Sequence, residues 1–130
     1  ASTVSEAEPL SYVTHESDEG FLLDIRPMIK EVVTAVSEGK DKAYVARAFH
    51  EAIVAMLVES ALRASEETEL DNVVLSGGCF ANRILTERVT RFLEAWGRDV
   101  FVHREVPTGD GGLSLGQAVC AAARVARGLV

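Results

Sequence analysis

Two short apolar runs, Val73-Val74-Leu75 and Val100-Phe101-Val102, set the tightest limit on what this chain can fold into. Both are β-branched or aromatic-rich and too short to be helices in their own right. Each passes through a glycine-rich loop into an amphipathic segment, Ser76-Gly77-Gly78 after the first and Pro107-Thr108-Gly109-Asp110-Gly111-Gly112 after the second. The helix after the first loop is expected from Ala81 to Trp96 with Gly97 closing it, and the second from about 112 to 127 with Gly128 closing it. Two successive strand–helix units favour parallel pairing of the strands, with Val73–Leu75 buried and helices covering the sheet.

Upstream, Leu10–Thr14 and Phe21–Ile25 are β-prone runs around Glu16-Ser17-Asp18-Glu19-Gly20, which predicts a hairpin. Asp24 with Pro27 shortly after marks a helix start, because proline is tolerated in a first turn whose N–H groups lack helical partners. Gly39 ends that helix. Asp41 opens a longer one to about Glu67, in which Val45, Phe49, Ala52, Ile53, Met56, Leu57 and Ser60 recur at helical spacing while Arg47, Glu51 and Glu59 stand off the stripe. Phe49, Ile53 and Met56 are expected to pack under the sheet. Residues 1–9 are small and acidic and read as a disordered linker or tail, leaving 10–130 as the folded part. The fold class is therefore α/β: a hairpin, two helices, then two strand–helix units.

The charge pattern narrows the function. Of the net charge of −7, Glu6, Glu8, Glu16, Asp18 and Glu19 lie within the first twenty residues, where no Lys or Arg accompanies them. No basic patch exists to displace counterions from a phosphate backbone, which argues against nucleic acid as a partner. Cys79 and Cys120 form no metal spacing and fit free thiols of a reducing, cytoplasmic setting. No apolar run reaches the roughly 18–20 residues that span a bilayer, so no membrane partner is expected. The absence of an initial Met fits an excised fragment.

In open α/β sheets, ligands bind off the carboxyl ends of strands, which is where both glycine loops fall. Missing side chains let backbone N–H groups approach a phosphate, and a following helix adds partial positive charge. Neither loop is a Walker motif or GxGxxG, and tight turns would explain the glycines equally well. Asp110 divides similarly between capping a helix and ligating a hard or borderline metal, and Asn82 between touching a base or sugar and sitting in a first turn. His50, on the flank of the long helix, is either a satisfied boundary residue or a catalyst. Cys79 is either a small buried apolar residue or a thiolate favoured by a helix N-terminus. His15, His50 and His103 show no HxxxH or HxH spacing.

Taken together, Val73-Val74-Leu75-Ser76-Gly77-Gly78-Cys79-Phe80-Ala81-Asn82-Arg83 and Pro107-Thr108-Gly109-Asp110-Gly111-Gly112-Leu113-Ser114-Leu115-Gly116-Gln117-Ala118 resemble the end of the nickel-iron hydrogenase maturation carbamoyltransferase family. Leu23–Ile29 and Ala46–His50 extend the resemblance, which runs from about residue 10 to the C-terminus. The related tRNA threonylcarbamoyl transferases share the Gly-Gly and Asn pattern, but Gly109-Asp110-Gly111-Gly112 and Gln117 favour the hydrogenase branch.

The resemblance implies the second half of an actin-like ATPase, ribonuclease H-like fold. It further implies an enzyme that activates carbamoyl phosphate with ATP as carbamoyl-adenylate and passes the carbamoyl group to the C-terminal cysteine of a partner maturation protein, on the way to a cyanide ligand of the hydrogenase iron. On this resemblance Ser76, Gly77, Gly78, Asn82, Gly109 and Gly111 border the nucleotide. Asp110 ligates a divalent metal, iron or zinc, that histidines outside this chain complete. The missing N-terminal half of the same domain would supply the other wall, so the fragment alone is expected to be inactive. Two alternatives stand beside this one: a non-catalytic scaffold or docking module with structural glycines, and the lobe of a tRNA threonylcarbamoyl or antibiotic O-carbamoyl transferase.

Overall fold

The expected hairpin forms, but its first strand lies three residues later than the Leu10–Thr14 run, so that Glu16, Ser17 and Gly20, expected in the turn, belong to the strands. β1 (Val13–Ser17) and β2 (Gly20–Asp24) pair antiparallel, from Val13 opposite Asp24 to Ser17 opposite Gly20. The structure is a computed structural model that describes residues 8–18 and 20–129; most of the expected tail, residues 1–7, lies outside the described residues. The chain divides into two compact units, Ala1–Arg63 and Ala64–Val130.

In the first unit, helix α1 (Arg26–Ser37) begins just after β2 with Pro27 in its first turn. Asp24 shapes this entry as a turn rather than as the helix cap. Its Oδ1 accepts the Arg26 N–H at 2.9 Å, and both carboxylate oxygens take the Arg26 guanidinium at 2.7–3.0 Å. That guanidinium, with the backbone N–H, holds the Asp24 carboxyl well below the usual carboxylate range. Gly39, at φ +71°, ends α1, and Lys40 N–H returns to Ala35 O at 3.0 Å. Helix α2 (Lys42–Thr68) then starts on Asp41, whose Oδ2 accepts the Tyr44 N–H at 3.0 Å.

The core of this unit is Met28, Ala52 and Met56, with Leu10, Tyr12, Leu23, Phe49 and Ile53 packed against it. The stripe foreseen on α2 is rotated slightly: Val45, Ala48, Ala52 and Met56 are its most buried line, and Phe49 and Ile53 are half-buried at its margin. Glu59, expected off the stripe, turns to the hairpin and accepts from Tyr12 OH at 2.6 Å and Thr14 Oγ1 at 3.1 Å. Burial and this neighbouring carboxylate push the Tyr12 phenol up to about 12. Arg63 pairs with both carboxylate oxygens of Glu16 and lies 4.2 Å over the Phe21 ring, so part of the N-terminal acidity is compensated.

In the second unit, β3 (Asn72–Leu75) and β4 (Asp99–Val102) pair in parallel, with Val73 opposite Val100 and Leu75 opposite Val102. Helix α3 (Arg83–Ala95) presents Leu85, Val89 and Leu93, spaced four residues apart and all buried, and packs along β4. It starts two residues later than expected, because Gly78–Ala81 forms a 3-10 turn first and Asn82 is the cap, accepting the Leu85 N–H at 3.3 Å. A second 3-10 turn, Asp110–Gly112, leads into α4 (Leu113–Ala126).

The expectation of a buried Val73–Leu75 strand in a sheet covered by helices needs correction. Val73, Leu75, Val100 and Val102 are buried or half-buried, but Val74 and Phe101, directly opposite each other on the other face, are 66% and 53% exposed. No described residue of α4 is buried; Leu115, Val119 and Val125 are all exposed. Helix periodicity predicts an apolar stripe, and the stripe exists, but among the described residues nothing covers it.

Candidate functional site

The parallel register fixes where the two glycine loops go. Strands paired from Asn72 opposite Asp99 to Leu75 opposite Val102 must release their loops side by side at the carboxyl end of the sheet. The loops are joined through main chain: Gly77 N–H donates to Thr108 O at 2.8 Å, and a Cβ built on Gly109 would stand 3.7 Å from the Gly78 Cα. Between and beyond them lies a cavity of about 470 Å³, within the roughly 300–1,000 Å³ range of small-molecule sites.

Two glycines are required here for different reasons. Gly77 has φ +103° and ψ 161°, a region closed to other residues, and turns the chain out of β3 into the 3-10 turn. Gly112 has an ordinary helical backbone, but a Cβ there would come within 2.6 Å of Pro107 O and 3.1 Å of Val106 Cγ1. Gly112→Ala must push the Pro107 carbonyl aside, so a loss of about 1–3 kcal/mol is expected, measurable as a lower urea midpoint. An unchanged midpoint would show that the loop yields freely.

Of the residues singled out in the sequence, Ser76, Gly77, Gly78, Gly109 and Asp110 line this cavity. Gly111 and Asn82 do not. Asn82 serves as the α3 cap through its side-chain oxygen, while Gly111 packs toward the Pro107 ring. His50 is absent from the lining as well: it belongs to the first unit, where its Nδ1–H donates to Ala46 O at 2.8 Å and its ring meets Phe49 edge-on. Because Gly77 spends its N–H on Thr108, the glycine pair offers a ligand the Gly78 amide rather than both. Added Cβ atoms at Gly77 and Gly78 would meet nothing within 4 Å, so the backbone there is approachable from the open side.

Asp110 does not cap a helix. Neither the 3-10 turn it opens nor α4 receives a side-chain cap, and the exposed carboxylate has no hydrogen bond or ion pair among the described residues. A lone carboxylate at the mouth of a cavity suits one position in a metal's coordination shell. Among the described residues no three His, Cys, Asp or Glu gather to complete such a shell. Eight lining residues were not singled out as site residues, among them His103, Gln117 and Cys120. Their signal is geometric, since His103 follows β4 as Ser76 follows β3, and Gly116, Gln117 and Cys120 share one side of α4. Cys79, expected to be buried, is exposed.

A family model described as the second subdomain of the Kae1-like domain of carbamoyltransferases matches residues 1–117. The chain belongs to that carbamoyltransferase family. A carbamoyltransferase HypF homolog of Cupriavidus necator is 38% identical over 111 residues, covering 84% of this chain and 28% of the relative. Carbamoyltransferase HypF of Rhodobacter capsulatus is 34% identical over 106 residues, 82% of this chain and 14% of its own length. The fold agrees: a crystal structure of full-length HypF in the phosphate- and nucleotide-bound form superposes with a TM-score of 0.85 at 32% identity, over 91% of this chain and 16% of that one. The chain thus spans a small part of the family members it matches. No described helix is long and apolar enough to cross a membrane.

Proposed function

We propose that this chain is the C-terminal nucleotide-binding lobe of a carbamoyltransferase that uses carbamoyl phosphate and ATP, by way of carbamoyl-adenylate, to carbamoylate the C-terminal cysteine of a partner protein in cyanide-ligand synthesis for nickel-iron hydrogenase. The observation that supports it most directly is the pair of backbone-linked glycine loops bordering one cavity at the carboxyl ends of parallel strands, with Asp110, which pairs with no described residue, at its edge. The nucleotide-bound relative, alike over nearly the whole chain, supports the same reading.

The geometry supports a role for each residue. Gly78, with no side chain in front of it, lets a phosphate reach its amide, and the start of the 14-residue α4 at Leu113 adds the partial positive charge of a helix N-terminus. Gly77 and Gly109 hold the two loops at a fixed separation, so phosphate contacts do not have to be organised on binding. Asp110 would hold one position of a divalent metal, iron or zinc, whose other ligands come from histidines beyond this chain. When bound, such an ion polarises phosphoryl oxygens and offsets their charge. The uncovered α4 stripe is suited to burial by the first half of the same domain, since the chain matches a second subdomain and spans only 14–28% of the two carbamoyltransferases compared above.

The test is made on the full-length parent protein. It is expected to cleave ATP when carbamoyl phosphate is present and not without it, whereas this chain alone cleaves none. ATP cleavage by the parent that ignores carbamoyl phosphate would sink the assignment.

A further inference from the structure

The β3–β4 ladder ends at Leu75 opposite Val102, and one step further along the two strands stand Ser76 and His103. Their side chains meet, with His103 Nε2 3.0 Å from Ser76 Oγ, and both line the cavity between the glycine loops. Among the described residues that line it, none is Lys or Arg, and the ionisable ones are His103, Asp110 and Cys120. His103 is therefore the one lining side chain that can donate as a cation toward an anionic ligand.

We propose that His103 is a positioning residue for a phosphate contact made by Ser76. Nε2–H donates to Oγ, and the serine hydroxyl presents its own hydrogen to a phosphate oxygen of the bound nucleotide. A hydroxyl has one hydrogen to give and lone pairs to receive. If Oγ donated to the imidazole instead, none would remain for the phosphate. With Nε2–H donating, the hydroxyl is both oriented and polarised, and consecutive hydrogen bonds of this kind strengthen each other. The pairing depends on the parallel register, because a shift of one residue would carry His103 past Ser76. The inference rests on the nucleotide reading of the crevice and adds to it a residue and its direction of donation.

Three single variants of the full-length parent and one double variant test it, with the affinity for a non-hydrolysable ATP analogue and the KM for ATP as readouts. Ser76→Ala should weaken binding roughly tenfold, the usual scale for losing a hydrogen bond to a charged group. His103→Ala should weaken it by roughly three- to tenfold, raising KM while kcat is retained, and should add almost nothing in the Ser76→Ala background. His103→Gln, whose amide can donate to Oγ, should restore affinity to within about twofold of the wild type. Both positions are exposed, so thermal midpoints should not move. If the two alanine effects multiply, or glutamine is as damaging as alanine, the pairing is wrong while the nucleotide reading survives. If the parent binds no ATP analogue at all, the nucleotide reading fails and takes this inference with it.

Discussion

Asp110→Asn in the full-length parent should reduce carbamoyl-phosphate-dependent ATP cleavage by on the order of a hundredfold or more, and leave the unfolding midpoint of this chain unchanged. The two halves of that expectation come from the same geometry. Asparagine keeps the shape of aspartate and loses its charge, so it discriminates a ligand from a spacer. Nothing in the fold asks for the charge, because the carboxylate caps neither the 3-10 turn nor α4 and pairs with no cation among the described residues. A metal position does ask for it. Wild-type turnover in the variant would remove Asp110 from the chemistry. A large fall in the thermal midpoint of this chain would instead reveal a structural task for the charge that the geometry does not show.

The second large effect is on stability. Leu93→Ala should cost about 2–5 kcal/mol, a large part of the roughly 5–15 kcal/mol by which domains are stable. Leu93 is fully buried, as is Val89 one turn earlier, and together with Leu85 they are the whole buried line of α3. Truncation leaves a cavity between that helix and the sheet, and the unit has few other buried residues with which to compensate. Urea unfolding followed by the fluorescence of Trp96, which ends the same helix, reads the change directly. A midpoint within error of the wild type would mean that α3 is not the core of the second unit. By the same argument Phe49, half-buried at the edge of its cluster, matters less than the fully buried Met28 that the long-helix pattern did not point to.

What could be read from the sequence depended on whether its cause was local. Asp41 and Gly39 act within a few residues, so their roles as the start of α2 and the end of α1 were legible. The parallel pairing of β3 and β4 was legible too, since strand–helix alternation leaves few other connections. Asp110 and Asn82 look alike as polar residues near helix starts, and only backbone geometry shows that Asn82 caps while Asp110 does not. The His103–Ser76 contact links residues 27 apart and exists only in one register. The exposure of Val74, Phe101 and the α4 stripe was invisible for another reason. An apolar pattern records that a surface is to be covered, without recording whether the covering segment belongs to the same stretch of chain.

Gly116 shows how the cavity constrains what can change. It lies in the first turns of α4, where glycine costs about 1 kcal/mol relative to alanine, and a Cβ there would meet no atom within 4 Å. Among the described residues neither packing nor backbone geometry calls for glycine at that position, yet it borders the cavity. Helix stability and an open crevice thus place opposite demands on this one position. Gly78, equally unobstructed on the facing loop, offers the matching position from the other side. Since the loops are held together through their main chains, the volume available to a ligand can be adjusted at these two points without rebuilding the walls around it.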